Sequence, residues 1–553
     1  MGGGYEKISA VLIDDVHFKN SFPQYYTSTF ANGEMAACAG LAALHVIVTE
    51  KYTEIALKKG DEFMTKLKSV KEKYPDIIES AEGKGLMLGL HFNKQLGKKN
   101  ILLRVLCENE LLGYFLAGWL FHNKNIRVLP SLSKPDSVRL EPSVFLTRKN
   151  MDVFCDAVED MCRLCRNGSM YELLRYFMND DPYLDKPDNN IEGIFHKQTE
   201  EPKPGALKVG FIGNFTITPK ELMLIEPDLQ KASDTGLRIL FDKMQALLDG
   251  KSVRLFSKNL MNGKIHFTFY ILPFDTAHLE VIHRWGKKRY YIARIQETVN
   301  RLIQEGVSHI SLGAHTSILS GNGLYIAESQ KVKILTGNTL TVASCLYHME
   351  QYLEKTRNKK KGPVTIAIVG ANGNIGSGLA GCLNDEKYTN TKILLIGNNL
   401  KKLEQLQKKI LTTQYSVECT TDLFLLQKAD IIISCTNTND PQIFSHHIHP
   451  DKEIFIIDIA VPGSVAEEVK LQNNVKFCKE ASTVYLPDDP DFVISTHTPV
   501  GKIFCCAAEV ILAALYDFQL PLKGHVQPES IKKMMELSVL EGFFNKKEYA
   551  PLV

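Results

Sequence analysis

Three groups of residues have the type and spacing for chemistry. The first is Gly370-Ala-Asn-Gly373-Asn374-Ile375-Gly376, which follows the apolar run Val364–Val369 and leads into a helical stretch. Glycines spaced in this way allow a tight turn and close backbone approach, and the helix that follows can receive a pyrophosphate at its N-terminus. The second is the pair Cys505-Cys506 within Gly501–Leu515, an apolar helix expected to open at Thr498-Pro499 with Thr498 as its cap. A thiol near the positive end of a helix is shifted toward thiolate and nucleophilic chemistry, whereas cysteines on apolar helices otherwise serve as inert packing. The third comprises Gly313-Ala-His315-Thr316-Ser317 and Thr336-Gly-Asn338-Thr339. Their backbone N–H groups and hydroxyls can face a developing negative charge, or simply shape turns.

The glycine loop belongs to a β-α-β pattern. A second strand over Lys392–Gly397 ends in Asn398-Asn399-Leu-Lys401-Lys402, where an NAD-selective site would carry a carboxylate for the ribose 2′-hydroxyl. Amides and ammonium groups suit a 2′-phosphate, so NADPH is the expected cofactor; the alternative is that the lysines decorate a helix start. The strands 429–436 and 454–458 continue the alternation and place Thr436 and Asp458 at strand ends, as candidates for the nicotinamide crevice.

The chain of 553 residues, 44% hydrophobic and 23% charged, exceeds one core and predicts two to four domains. Lys+Arg 65 against Asp+Glu 63 leaves no large single-sign field, which argues against nucleic acid or an anionic membrane surface as partner. The longest apolar runs, 111–121 and 503–515, fall short of the roughly 20 residues of a membrane span. The N-terminus lacks an export signal, and 12 scattered cysteines without paired CxxC motifs indicate reduced thiols and no metal site, so a cytoplasmic location is expected.

Along the chain, helical periodicity covers 33–50 and 52–74, followed by strand-like 85–92, a strand over 126–129, the run 137–142 and a helix to about Cys165. This predicts an α+β module, with the apolar run 111–121 packed in its core or, alternatively, contributing apolar lining. Residues 179–208 are polar and Pro-rich and read as linker, and a second polar break spans 355–363. The fold class expected for the chain is α/β.

The combination of motifs resembles a family. From about Leu207 the sequence is similar to the aldehyde-forming long-chain acyl-[acyl-carrier-protein] reductases. The resemblance rests on Val209–Gly213, Ser311–Ser317, Leu335–Thr339, Gly370–Gly376 and Phe504-Cys-Cys506-Ala-Ala-Glu509, in that order. It implies a substrate domain over 207–360, a Rossmann NADP-binding domain over 361–500 and a C-terminal helical segment, 501–553, carrying the thiol. It further implies that Cys506 takes the acyl group from acyl carrier protein or acyl-CoA, and that NADPH reduces the new thioester to an aldehyde. His497 and His315 are the candidate proton donors. Gly313, Thr316, Ser317, Thr336, Asn338 and Thr339 are the candidate substrate-binding residues. A shikimate- or glutamyl-type dehydrogenase is the alternative. The family commonly has Arg near the end of the second Rossmann strand, where this chain has Asn398.

Residues 1–165 resemble the C-terminal part of class III, fold-type I aminotransferases. The similarity rests on Gly2–Ala10, Tyr26–Cys38, Glu82–Gly89 and Val138–Pro142, with 166–206 as linker. This implies pyridoxal phosphate as cofactor, a homodimer, and Thr29 as a phosphate ligand across the dimer. The family's Schiff-base lysine would precede Met1, and Lys7 occupies a different motif position. Glu82 stands where many relatives carry a carboxylate-clamping arginine, which fits an amine acceptor without a carboxylate, such as a fatty aldehyde. The alternative is a partner subunit that dimerises with a separate aminotransferase front half.

Overall fold

The structure, a computed structural model, describes residues 7–9, 13–19, 33–98, 100–180, 200–215, 221–275, 286–327, 332–356, 362–383, 388, 391–410, 416–436, 438, 440–460, 463–478, 481–495 and 498–544. It divides into two compact units, 1–97 with 102–176, and 98–101 with 177–553.

The N-terminal unit is α+β. Its helices α1 (Glu34–Thr49) and α2 (Tyr52–Lys73) match the periodicity, and α2 buries Phe63, Leu67 and Val70 on one stripe. Strands β1 (Ile78–Lys84) and β2 (Met87–Phe92) are followed by α3 (Ile101–Glu108) and α4 (Leu112–Lys124). After β3 (Leu129–Pro130) and β4 (Ser137–Leu140) come α5 (Arg148–Asn167) and α6 (Met170–Met178). The sheet runs β1-β2-β4-β3, antiparallel throughout. Helix α4 buries Leu112, Phe115, Leu116, Trp119 and Leu120, as expected of a core helix. A capping box between Thr147 and Asn150 starts α5, and Gly168 at φ 67° ends it. Two expectations are corrected: the strand over 126–129 reduces to Leu129–Pro130, and 170–178 is helix rather than linker, because Met170, Leu173, Leu174 and Met178 form a buried stripe. Helix α1 buries only Gly40 and leaves Met35, Leu41 and Val48 exposed.

The C-terminal unit holds two larger sheets. The first contains β5 (Leu207–Asn214), β6 (Val253–Leu260), β7 (Ile265–Leu272), β8 (His309–Leu312) and β9 (Lys333–Leu335) in the order β6-β7-β5-β8-β9. Only β6 is antiparallel to its neighbour. Helices α7 (Glu221–Ile225), α8 (Asp234–Leu247), α9 (Lys288–Gln304), α10 (His315–Leu319) and α11 (Asn338–Thr356) accompany it. Strand β7 is buried at every position, as a covered sheet requires.

The second sheet is built from β10 (Val364–Val369), β11 (Thr391–Ile396), β12 (Ser416–Thr420), β13 (Ile431–Ser434), β14 (Ile454–Asp458) and β15 (Val475–Cys478). Its helices include α12 (Asn374–Cys382), α13 (Leu400–Ile410) and α14 (Glu467–Lys470). All pairs are parallel and the order is β12-β11-β10-β13-β14-β15. Strand order therefore runs outward in both directions from β10, the switch point where a doubly wound sheet binds a dinucleotide. The chain then forms the hairpin β16 (Thr483–Tyr485) and β17 (Lys502–Phe504) and the helices α15 (Cys505–Leu515) and α16 (Pro528–Glu541). Helix α15 packs against β5, β8 and α11, so the thiol-bearing helix returns to the first sheet. Among the described residues no helix is long and apolar enough to cross a membrane, and no group of His, Cys, Asp or Glu is arranged for a metal ion.

Candidate active site

The glycine loop leaves β10 through Gly370 at φ 83°, where a Cβ would lie 2.7 Å from the Cys435 carbonyl oxygen. A Cβ on Gly376 would lie 2.6 Å from the Gly370 oxygen. Both positions are closed to any side chain, and Gly373, as N-cap of α12, donates its N–H to Gly370 O at 2.9 Å. The Asn374 side chain is committed elsewhere: Nδ2 donates to Gly524 O at 2.8 Å and Oδ1 accepts from Val526 N at 3.2 Å. What Asn374 and Ile375 offer a ligand is therefore the free amides of the first helical turn.

The thiol pair is positioned differently from expectation. Residues 502–504 pair with β16 as a strand, so the helix begins at Cys505 with Phe504 as N-cap; Thr498 caps nothing, and its buried Oγ1 has no partner. Cys505 points inward with Sγ 3.6 Å from Ala481 O, while Cys506 is half-buried and lines a cavity of about 530 Å³. The β8 hydroxyl of Ser311 donates to Cys506 O at 2.7 Å. Burial pushes the Cys506 thiol up to about 12, outweighing the amides of Ala314, Cys506 and Ala507 that pull it down. Of the two readings of the thiol pair, the helix-end shift toward thiolate is not the one that prevails here: desolvation exceeds it and the resting Cys506 is a protonated thiol.

The same cavity is lined by Gly373, Asn374, Ile375, Cys435 and Thr436 from the dinucleotide side and by Ala314, His315, Ser317, Thr336 and Asn338 from the other. Several polar atoms here are buried without a partner among the described residues: both ring nitrogens of His315, Ser317 Oγ and Thr436 Oγ1. Orphans of this kind indicate groups built to meet a ligand. Burial lowers His315 to about 4, so it is a neutral imidazole with one N–H and one acceptor. Ala314 holds φ 49° and ψ −131°, a costly conformation for a non-glycine residue, and the loop is over-determined around it. His315 N donates to Asn214 Oδ1 at 3.0 Å, and Thr316 Oγ1 donates to Gly313 O at 2.6 Å and lies 3.1 Å from Ile212 O.

Not every candidate faces the cavity. Thr316 is consumed by those carbonyls, Gly313 packs on Phe211, and Thr339 sits buried at the start of α11. Asp458 does not line the cavity either: its carboxylate accepts from the N–H groups of Ala460, Ser464 and Val465 and from Ser464 Oγ, at 2.8–3.1 Å. His497 and Thr29 lie outside the described residues. The sequence reading missed Asn214, one residue beyond the strand Val209–Gly213, and the apolar wall of Phe211, Phe215, Ile225, Leu255, Phe269 and Ile271. Among the described lining residues there is no Lys or Arg; the ionisable ones are Glu221, His315, Cys435 and Cys506.

At the end of β11, Asn399 Oδ1 accepts from Lys402 N at 3.1 Å and so caps α13, while its backbone oxygen accepts from Asn372 Nδ2 at 3.0 Å. Asn398 and Lys401 are exposed. Together with the closed glycine cradle and the unpartnered Thr436 hydroxyl, these residues fit a dinucleotide.

Two family descriptions match separate parts of the chain. Aminotransferase class-III matches residues 1–160, and Shikimate / quinate 5-dehydrogenase matches residues 353–479. The chain thus carries a partial class-III aminotransferase segment followed by a dehydrogenase-like NAD(P)-binding domain. Neither match covers 207–352 or 480–553. Similar solved structures include a lysine aminotransferase from M. tuberculosis in the internal aldimine form, at 20% identity over 24% of this chain and 26% of that chain, TM-score 0.19. An ornithine aminotransferase from Plasmodium yoelii matches at 21% identity over 26% of this chain and 33% of that one, TM-score 0.20. Acetylornithine aminotransferase from Elizabethkingia anophelis matches at 24% identity over 25% and 30%, TM-score 0.20. The chain therefore spans about a quarter to a third of the length of these relatives.

Proposed function

We propose that the C-terminal unit reduces an acyl thioester to an aldehyde through an acyl-enzyme on Cys506. The observation that carries this reading is that Cys506, the dinucleotide glycine loop and an apolar wall open on one cavity whose described lining has no cation. A buried substrate carboxylate would lack a cationic partner among the described lining residues, whereas a neutral acyl chain is satisfied by Phe211, Phe215, Leu255 and Phe269.

Cys506 Sγ attacks the thioester carbonyl, the bond to the carrier sulfur breaks, and the thiol proton leaves on the carrier thiol. For the oxygen that gains charge the donors at hand are the neutral His315 ring and the Ala314 amide, which faces the Cys506 thiol at rest. NADPH, when bound, would supply the hydride, and with one proton taken up from solvent the enzyme-bound thioester becomes a hemithioacetal. Collapse breaks the C–S bond, releases the aldehyde and returns the proton to Cys506. Gly370, Gly373 and Gly376 with the first turn of α12 would hold the pyrophosphate, Thr436 would meet the nicotinamide end, and Asn398 and Lys401 would face a 2′-phosphate. Acyl carrier protein and acyl-CoA are the proposed carriers.

The test is loss of NADPH absorbance with acyl-carrier or acyl-CoA substrates. Cys506→Ala is expected to lower kcat at least about 10³-fold; normal turnover by that variant would refute the covalent route. The match of 353–479 to shikimate / quinate 5-dehydrogenases favours a second reading, oxidation of a free hydroxy acid. Cofactor reduction by such an acid, indifferent to Cys506, would establish it instead.

For the N-terminal segment we propose amination of the released aldehyde. Support comes from Glu82, which accepts from Ser80 Oγ at 2.8 Å and lies 3.7 Å from His91 Nε2, an anion that opposes a substrate carboxylate. Of the residues assigned to pyridoxal phosphate by resemblance, Thr29 alone is in this sequence and it lies outside the described residues, so no step is derived through that cofactor. Amine formation from a fatty aldehyde, in a preparation joining this chain to the preceding part of an aminotransferase fold, tests the assignment; acceptance of 2-oxo acids only would contradict it.

A further inference from the structure

Glu509 is fully buried on α15, one turn beyond Cys506. Its Oε1 accepts from Gly337 N at 2.9 Å and its Oε2 from Leu340 N at 2.8 Å, so one carboxylate closes the first turn of α11 from a neighbouring helix. Gly337, at φ 71°, approaches Cys506 so closely that a Cβ on it would lie 2.2 Å from both Cys506 Cα and Cβ. The turn that Glu509 holds is therefore the turn against which the thiol-bearing residue rests. Two N–H donors on two oxygens require two acceptors, which only the ionised carboxylate supplies without conflict; a protonated acid or a glutamine turns a donor toward one of them.

We propose that Glu509 is a positioning residue: ionised, it locks the Gly337 turn onto Cys506 and its charge adds to the burial that keeps the resting thiol protonated. This rests on the reading of Cys506 as the reactive group. The groups that face the carboxylate are few. On its own helix it interacts electrostatically with Cys505 and Cys506. The start of α11 presents the amides of Gly337, Thr339 and Leu340, and among the described residues no further ionisable side chain contributes to the shift of this carboxyl. Burial raises this carboxyl to about 7, so its charge changes within the range where the protein can be assayed. Above that point the anion adds to the hold of burial on the thiol proton; below it that addition is lost.

The experiment is alkylation of the full chain by iodoacetamide, followed at the Cys506 peptide by mass spectrometry from pH 6 to 9, with thermal melts as control. A thiol far from its own titration gives a rate rising tenfold per pH unit. In the wild-type protein the Glu509 charge should interrupt that line near pH 7 with an offset of roughly threefold, because raising the thiol lowers its thiolate fraction more than it raises nucleophilicity. Glu509→Gln should give an uninterrupted line and alkylate roughly threefold faster at pH 8. An uninterrupted wild-type line overturns the proposal, as does a folded Glu509→Gln with wild-type rates throughout. If that variant does not fold, the wild-type profile alone decides. No thioester or NADPH enters the assay, so its outcome is separable from that of the reductase reading.

Discussion

At the level of single residues, the distinction between Cys505 and Cys506 shows what spacing can and cannot convey. Adjacent cysteines on a helix diverge by about 100°, and only the fold decides that Cys506 faces the cavity while Cys505 faces Ala481. The protonation state was not legible either, since it depends on water excluded by residues far along the chain. Gly337 makes a sharper case: its motif Thr336-Gly-Asn338-Thr339 reads as a turn, yet the glycine serves a contact with a residue 169 positions later. Gly337→Ala is expected to destabilise the fold by about 1–3 kcal/mol through overpacking and left-handed strain and to displace Cys506. A lowered Tm together with faster Cys506 alkylation is the expected signature, and an unchanged Tm would count against the contact.

Elements were more legible than side chains. The strand, glycine loop and helix around Gly370 were readable because a parallel strand buried on both faces is an uninterrupted apolar run. The N-terminus of α15 was misplaced because Lys502–Phe504 is too short a strand to leave a period, and its pairing partner lies across a loop. The apolar wall was invisible for a related reason: Phe211 and Phe269 look like ordinary core positions until β5 and β7 are set side by side. At the end of β11, Asn399 caps the helix that follows, and Asn398 and Lys401, both exposed, are the selectors we propose. Lys401→Glu is therefore expected to weaken NADPH binding by about tenfold, on the order of 1 kcal/mol for a reversed surface contact, with little change for NADH. Equal losses for the two nucleotides, by fluorescence titration, would remove Lys401 from the selector.

On the scale of the whole molecule, buried titratable groups set opposing pH dependences. Burial lowers His309 and His315 from 6.5 to about 4, so between those values the unfolded chain binds protons that the folded chain refuses. Their contribution is present above pH 6.5 and is lost as pH falls toward 4, on the order of 3 kcal/mol for each imidazole at most. Glu509 acts in reverse: raised from 4.5 to about 7, it makes the folded state the better proton binder, so its contribution declines as pH rises through that window. His315→Gln should accordingly flatten the fall in Tm between pH 6.5 and 4.5, and an unaltered slope would show that the ring is charged or solvated in the folded protein.

The central claim is that one cavity brings an acyl thioester to Cys506 beside a dinucleotide. Its most direct test is intact-protein and peptide mass spectrometry after mixing the full chain with a long-chain acyl-CoA in the absence of NADPH. The expected result is a single acyl adduct on the Cys506 peptide, absent in Cys506→Ala and discharged as free aldehyde when NADPH is added. No adduct on the wild-type protein, with aldehyde formation equal in wild type and Cys506→Ala, would contradict it.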